Sequence, residues 1–281
     1  MAKRQLVVTG GYGNLGQALR QVVGATWEVI ALGREDMADA EALVPDHADV
    51  ILIASYNLKD RFVEKPSQYI NDNVGSVARI LELAAARRVS LVGFVSSAAV
   101  YGNLGHAQED APLRPELLSG SVKALCEKMV HDFCKGHGIP FQIYRVFNIY
   151  GGNDHFSVVS RLLNAVRKAA PFSLANGGSA QRDFVHVDDV ASTIAQLWDS
   201  PFRNGVINCG SGRGVRISTL VDLAHLLRPG FSVHTTKADE VEACIADPSL
   251  LNAHVGAEFR RIEDWLSKQL EGAEGAEGER G

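Results

Sequence analysis

Three glycines, Gly10, Gly13 and Gly16, stand between a short apolar run, Leu6-Val7-Val8-Thr9, and a helical pattern of Leu15, Leu19, Val22 and Val23. In a strand–turn–helix setting each has its own use. Gly10 makes the tight turn out of the strand, Gly13 lets backbone N–H groups approach a pyrophosphate, and Gly16 lets the helix lie close on the strand. The helix start adds unpaired N–H donors and a positive dipole end. The spacing predicts a dinucleotide site made by Gly10, Tyr12, Gly13, Asn14, Leu15 and Gly16; the other use of such glycines is a turn kept for packing alone. The next strand, 27–32, ends at Gly33-Arg34, with Glu35 and Asp36 behind. An acid at that point accepts from a ribose 2′-hydroxyl, whereas a base accommodates a 2′-phosphate. Arg34 points to NADP, and an arginine stacked on adenine would go with NAD, so the expected cofactor is NAD or NADP. Ala54 ends the third strand, 49–54, beside the same crevice. A polar loop follows, 55–66, carrying Tyr56, Asn57, Lys59 and Arg61. No group of His, Cys, Asp and Glu has metal-ligand spacing, so no metal is expected.

These residues need a scaffold, and length and composition bound it. The chain has 281 residues, enough for one large α/β domain with a smaller lobe. Hydrophobic residues make up 46% and charged residues 22%, ordinary for a globular chain. A net charge of -5 gives no global attraction to nucleic acid or membrane. The start runs straight into the first strand, with no signal peptide, and no apolar run nears the ~20 residues of a membrane span. Cys126, Cys134, Cys209 and Cys244 include no Cys-x-x-Cys pair and read as buried, reduced thiols. A cytoplasmic protein is the expectation. Strands near 6–9, 27–32, 49–54, 90–96 and 141–146 alternate with helices near 69–87 and 119–136. That alternation predicts βαβ units and a parallel sheet covered on both faces. This reading closes a dinucleotide-binding domain over 1–150. Residues 151–270 are less regular and form a smaller lobe, with segments returning to the main domain. The tail, 271–281, is almost all Gly, Ala and Glu, and is expected to be disordered.

Five segments, taken in order, resemble one family. They are Thr9-Gly10-x-x-Gly13-x-x-Gly16, Asn73-Val74-x-Ser76, Ser96-Ser97-Ala98-x-Val100-Tyr101-Gly102, Arg145-x-Phe147-Asn148-x-Tyr150-Gly151, and Arg182-Asp183-Phe184-Val185-His186-Val187-Asp188-Asp189. The chain is similar to extended short-chain dehydrogenase/reductases of the NAD-dependent epimerase/dehydratase group, which act on nucleotide sugars. The stretch from Ile30 to Met37 also resembles the 4-keto-sugar reductase branch. The resemblance implies a doubly wound parallel sheet (Rossmann) with a smaller C-terminal substrate-binding lobe. It implies that Ser97 hydrogen-bonds the sugar oxygen that gains or loses hydride, and that Lys123 holds the nicotinamide ribose. Asn148 and Arg182 would bind the substrate. The plainer roles are a loop cap for Asn148, an ion pair with Asp183 or Asp188 for Arg182, and a structural role for His186. Ala98 and Ala99 replace the Asp-Glu pair of sugar 4,6-dehydratases, which argues against dehydration. A homodimer through the helices at 72–87 and 119–135 is implied as well.

One departure bears on mechanism. The family places a tyrosine four residues before the lysine, as general acid and base. Here Ser119 occupies that position, and no tyrosine lies between Tyr101 and Tyr144. Serine is a much weaker acid and too short to reach the phenol's position; at a helix start it also serves as an N-cap. Three readings stay open. Another group donates the proton, foremost Tyr56, with Ser119 through a water, or His186, behind it. Or the substrate is a ketone that needs less acid help. Or the chain binds cofactor and sugar nucleotide without turnover. The expected activity is an NAD(P)-dependent nucleotide-sugar reductase or 4-epimerase, and the alternative is an inactive binding protein of the same fold.

Overall fold

A computed structural model of the chain describes residues 3–54 and 64–271; the expectations placed on Tyr56, Asn57, Lys59, Arg61 and the tail 272–281 lie outside the described residues. The first half comprises β1 (Arg4–Thr9), α1 (Asn14–Val23), β2 (Trp27–Leu32), α2 (Ala40–Leu43), β3 (Val50–Ile53), α3 (Pro66–Ile70), α4 (Ser76–Ala86), β4 (Val92–Ser97), β5 (Gly105–Ala107), α5 (Leu118–His137), β6 (Phe141–Val146) and β7 (Asn148–Tyr150). The second half comprises α6 (Val158–Arg167), β8 (Phe172–Ala175), β9 (Gln181–His186), α7 (Val187–Asp199), β10 (Gly205–Cys209), β11 (Gly214–Arg216), α8 (Ile217–Leu227), β12 (Val233–Thr236), β13 (Ala243–Ala246), α9 (Ser249–His254) and α10 (Ile262–Glu271).

Six parallel strands form the main sheet in the order β10-β6-β4-β3-β1-β2. Its inner strands are covered on both faces; every residue of β3 and β6 is buried, Gln142 and Arg145 of β6 included. Leu19 and Val23 of α1 and Ile194 and Trp198 of α7 seal one face. Ile80 and Leu81 of α4 and Val122 and Val130 of α5 seal the other. Each such aliphatic side chain stabilises the fold by roughly 1.5–3 kcal/mol when fully buried. Strand order reverses at β1, which lies between β2 and β3, so the ligand crevice of a doubly wound sheet falls at the carboxyl ends of β1 and β3. Thr9 Oγ1 ties these ends together by accepting the Ala54 N–H at 3.2 Å.

The second half does not simply follow the first. Asn148–Tyr150 leaves the main sheet and pairs in parallel with β9. The sixth strand is β10, beside β6, and α7 returns to pack on α1. The closure of the sheet by residue 150 therefore gives way to five strands from the first half and one from the second. In exchange, β5 joins the second sheet, β11-β9-β13-β5. Apolar patterning marks a strand but not its partner, which is why the exchange could not be read from sequence. A lobe core of Leu162, Phe184, Leu220 and Leu266 joins α6, β9, α8 and α10. The helix read over 69–87 is interrupted by a π-helical turn, Asn71–Gly75. There the Asn73 side chain donates to Tyr69 O at 3.0 Å and the Ser76 hydroxyl to Asp72 O at 2.7 Å. All four cysteines are buried free thiols.

The join between β9 and α7 is held by a titratable cap. His186 Nδ1 accepts the Asp188 N–H at 3.2 Å, so the ring caps α7 in its neutral form. Burial, then Arg260, holds His186 below its ordinary value, against the opposing pull of Asp188 and Asp189. An imidazole depressed in the fold contributes stability that is complete above about 6.5, the unfolded value, and is lost as pH falls through the folded one. The unfolding temperature is expected to fall between about pH 7 and 5, and His186→Asn, which caps without titrating, should flatten that slope in a thermal-melt series. An equal slope in the variant would remove His186 as its source.

Candidate active site

The glycine turn after β1 forms the floor of a cleft of about 660 Å³ lined by Thr9, Gly10, Tyr12, Gly13, Gly33, Arg34 and Ala54, with Met37, Asn71, Asp72, Gly75, Ser76 and Arg79 closing it. Gly10 has φ +68°, a left-handed conformation that a side chain disfavours. A Cβ on Gly16 would stand 2.6 Å from the backbone of Gly11, so only glycine lets α1 start this close to the turn. Gly13 is the N-cap, and the N–H groups of Asn14, Leu15 and Gly16 have no acceptor within the helix. A wall without side chains, free amides and a positive helix end suit a dinucleotide diphosphate. The Asn14 side chain is engaged elsewhere. It donates to Gly151 O at 3.0 Å and accepts the Asn153 N–H at 2.7 Å, which ties the cradle to the loop after β7. Tyr12 is 57% exposed and lies against Gly33.

Ser97 ends β4, and its Oγ accepts the Ala99 N–H at 3.2 Å. On α5, Ser119, Lys123 and Glu127 are spaced by one turn and share a face. A Cβ on Gly120 would stand 2.4 Å from Ala99 O, so the first turn of α5 rests on the backbone just beyond Ser97. Lys123 Nζ donates to Val95 O at 2.7 Å, and burial pushes its ammonium down to about 8. Glu127 accepts from the Ser96 hydroxyl and forms a two-pronged ion pair with Arg145, Nε to Oε1 at 3.0 Å and Nη2 to Oε2 at 2.7 Å. Arg145 Nη1 continues to Tyr101 Oη at 2.8 Å, and that hydroxyl donates to Asn208 at 2.7 Å. Burial raises Tyr101 to about 12, so its phenol stays protonated inside this network. The helix N-cap is Leu117, not Ser119, which sits half-buried within the first turn.

Asn148 and Arg182 line a second cavity, of about 430 Å³, with Arg161, Thr236 and Glu240. Ser97 is the register partner of Val146, so Asn148 leaves the same sheet edge two residues further on. The Asn148 amide donates to Asp183 O at 3.4 Å. Arg182 pairs with Glu240 at 3.2 Å rather than with Asp183 or Asp188. Asp183 is taken by Ser211, Gly212 and Ala246 N–H groups, and Asp188 lies near His186 and Arg260. Among the described residues no group of His, Cys, Asp and Glu could hold a metal ion, and no helix is long and apolar enough to cross a membrane.

The model of the NAD dependent epimerase/dehydratase family matches residues 6–210, which hold the cradle, Ser97, Lys123 and Arg182. The chain belongs to this family. It is 25% identical over 289 residues to the UDP-glucose 4-epimerase of Corynebacterium glutamicum, covering 89% of this chain and 87% of that one. A probable UDP-glucuronate 4-epimerase of Rhizobium meliloti is 24% identical over 223 residues, a match spanning 69% of this chain and 64% of that relative. The fold matches a UDP-N-acetylglucosamine 4-epimerase from Methanobrevibacter ruminantium in complex with UDP-N-acetylmuramic acid, with TM-score 0.86, 21% identity and coverage of 98% of this chain and 100% of that one. It also matches the Thermus thermophilus UDP-glucose 4-epimerase in complex with NAD, with TM-score 0.84, 21% identity and coverage of 97% and 99%.

In this epimerase/dehydratase chain, sequence reasoning missed Glu127, Glu240 and Arg79. Glu127 carries a local signal, its one-turn spacing from Lys123; its bond to Arg145 comes only from the fold. Both partners are nearly sealed, with side chains 5% and 6% exposed. Arg145→Met is expected to strand the Glu127 carboxylate and cost about 3–5 kcal/mol of stability, read by urea unfolding. A loss below about 1 kcal/mol would mean that the pair behaves as a solvated one.

Proposed function

We propose that this chain exchanges hydride at C4 of a nucleotide-linked sugar, with NAD or NADP as carrier, in 4-epimerisation or in the 4-keto reduction that forms half of it. The observation that carries the reading is the gathering of chemistry at one sheet edge. The glycine cradle follows β1, Ser97 ends β4, Asn148 stands just past β6, and Lys123 reaches β4 from α5. The family model and the similarity to UDP-sugar 4-epimerases support it.

When bound, the nicotinamide takes and returns the hydride. The amides of Asn14, Leu15 and Gly16 hold the diphosphate, and the Lys123 ammonium holds the nicotinamide ribose. The Ser97 hydroxyl donates to the sugar oxygen at the reacting carbon. Asn148 and Arg182 bind the nucleotide diphosphate, Arg182 exchanging Glu240 for a charge-assisted contact. Tyr56 supplies the proton in place of the family tyrosine, and Ser119 acting through a water is the second candidate donor. His186 serves as the cap of α7. The site of action is a reducing cytoplasm, in keeping with four unpaired thiols.

Incubating the chain with UDP- and dTDP-sugars and their 4-keto forms, with NAD(H) or NADP(H), tests this by chromatography of the sugars and nicotinamide absorbance. Turnover of at least one panel member is expected, reduced about 10²-fold or more by Tyr56→Phe and less by Ser119→Ala. Tight cofactor binding without turnover of any member would instead assign a binding protein. If both variants turn over like wild type, the proposed proton donors are wrong.

A homodimer forms through α5 in this reading. Leu118 and Leu125 lie seven residues apart on one face, 41% and 50% exposed, a stripe that a second copy would cover. Sedimentation is expected to give a dimer that Leu125→Glu dissociates; a wild-type monomer at micromolar concentration would refute it.

A further inference from the structure

At the end of β2 one of the two acids, Asp36, is taken up by the backbone. Asp36 Oδ2 accepts the Gly33 N–H at 2.7 Å, folding the carboxylate back onto its own backbone. The cleft wall at this point is Gly33 and Arg34. A second guanidinium comes from α4, where Arg79 lines the same cleft. Arg79 Nη2 donates to Ala38 O at 3.1 Å, at the far end of the short turn, 35–37, that Arg34 begins. One of its five N–H donors is thereby fixed and the fork is held at the cleft, with donors left for a ligand. Asp72 lines the cleft as well, and Glu35 follows Arg34. Among the described residues, the charged groups that line the cleft are the guanidiniums of Arg34 and Arg79 and the carboxylate of Asp72.

We infer that this end of the cleft takes the 2′-phosphate of NADP(H), clamped between Arg34 and Arg79, so that the chain prefers NADP(H) to NAD(H). The inference rests on the reading of the cleft as a dinucleotide site and names which dinucleotide. A phosphate monoester carries about -1.5 to -2 charges near pH 7 and three acceptor oxygens, which match two planar donor forks. A 2′-hydroxyl offers two acceptor lone pairs on one oxygen and brings no negative charge to the guanidiniums.

Calorimetric titration of the full chain with NADP⁺, NAD⁺, 2′,5′-ADP and 5′-AMP tests this without turnover. NADP⁺ is expected to bind at least about tenfold tighter than NAD⁺, and 2′,5′-ADP tighter than 5′-AMP by a similar factor. Arg34→Met and Arg79→Met should each weaken NADP⁺ by about tenfold while changing NAD⁺ by less than about threefold, and added salt should narrow the gap. Equal or tighter binding of NAD⁺ overturns the inference and leaves the cleft reading standing. So does an equal loss of both cofactors in the arginine variants, which would assign the guanidiniums to adenine stacking. Heat with none of the four ligands overturns the cleft reading itself.

Discussion

The buried pair of Glu127 and Arg145 fixes where the chemistry of this chain can sit. Two charges withdrawn from water gain little net stability, because the lost hydration offsets most of their attraction. What the pair does is set register. Arg145 stands on β6, Glu127 on α5, and Glu127 also receives Ser96 from β4. A slip of α5 by one residue would turn Glu127 away from both partners and leave an uncompensated charge in the core. The same turn spacing places Lys123 on Val95 and the first turn of α5 on Ala99. Ser97 and Lys123 are thus held relative to one another through this charge pair.

The second constraint is topological. The order of the main sheet reverses around β1, and its glycine turn and the end of β3 meet across one hydrogen bond. That puts the glycine-floored cleft on one side of the sheet edge. The lobe cavity opens past β6, where the chain leaves the main sheet to pair β7 with β9. Arg182 waits there in an ion pair with Glu240, so the cation is kept in place and partly neutralised. Ser97 lies at the end of the strand between these regions, next to β6 in the sheet.

Much of this was legible beforehand. Unbroken apolar runs marked buried parallel strands, and Gly10, Gly13 and Gly16 marked the cradle, because a close approach of backbone to backbone admits no side chain. Less was legible in the second half. Residues 148–150 and 205–209 both look like strands, yet only the latter enters the main sheet. Asp183 and Asp188 are near Arg182 in sequence, yet the partner is Glu240, 58 residues away. A residue beside another on a strand points to the opposite face, so sequence neighbours make poor ion-pair partners there.

By itself the sequence determined the parallel, doubly wound architecture, the place of the glycine turn, and the motifs of an epimerase/dehydratase. All of these follow from local rules: periodicity, the steric freedom of glycine, and residue types at short spacing. The tertiary structure alone decided that Glu127 meets Arg145 and that β10 completes the sheet while β5 leaves it. It alone turned Asp36 onto Gly33 and brought Arg79 to the cleft of Arg34. Such pairings join residues far apart in the chain, and only the simultaneous burial of apolar faces with satisfied polar groups selects them.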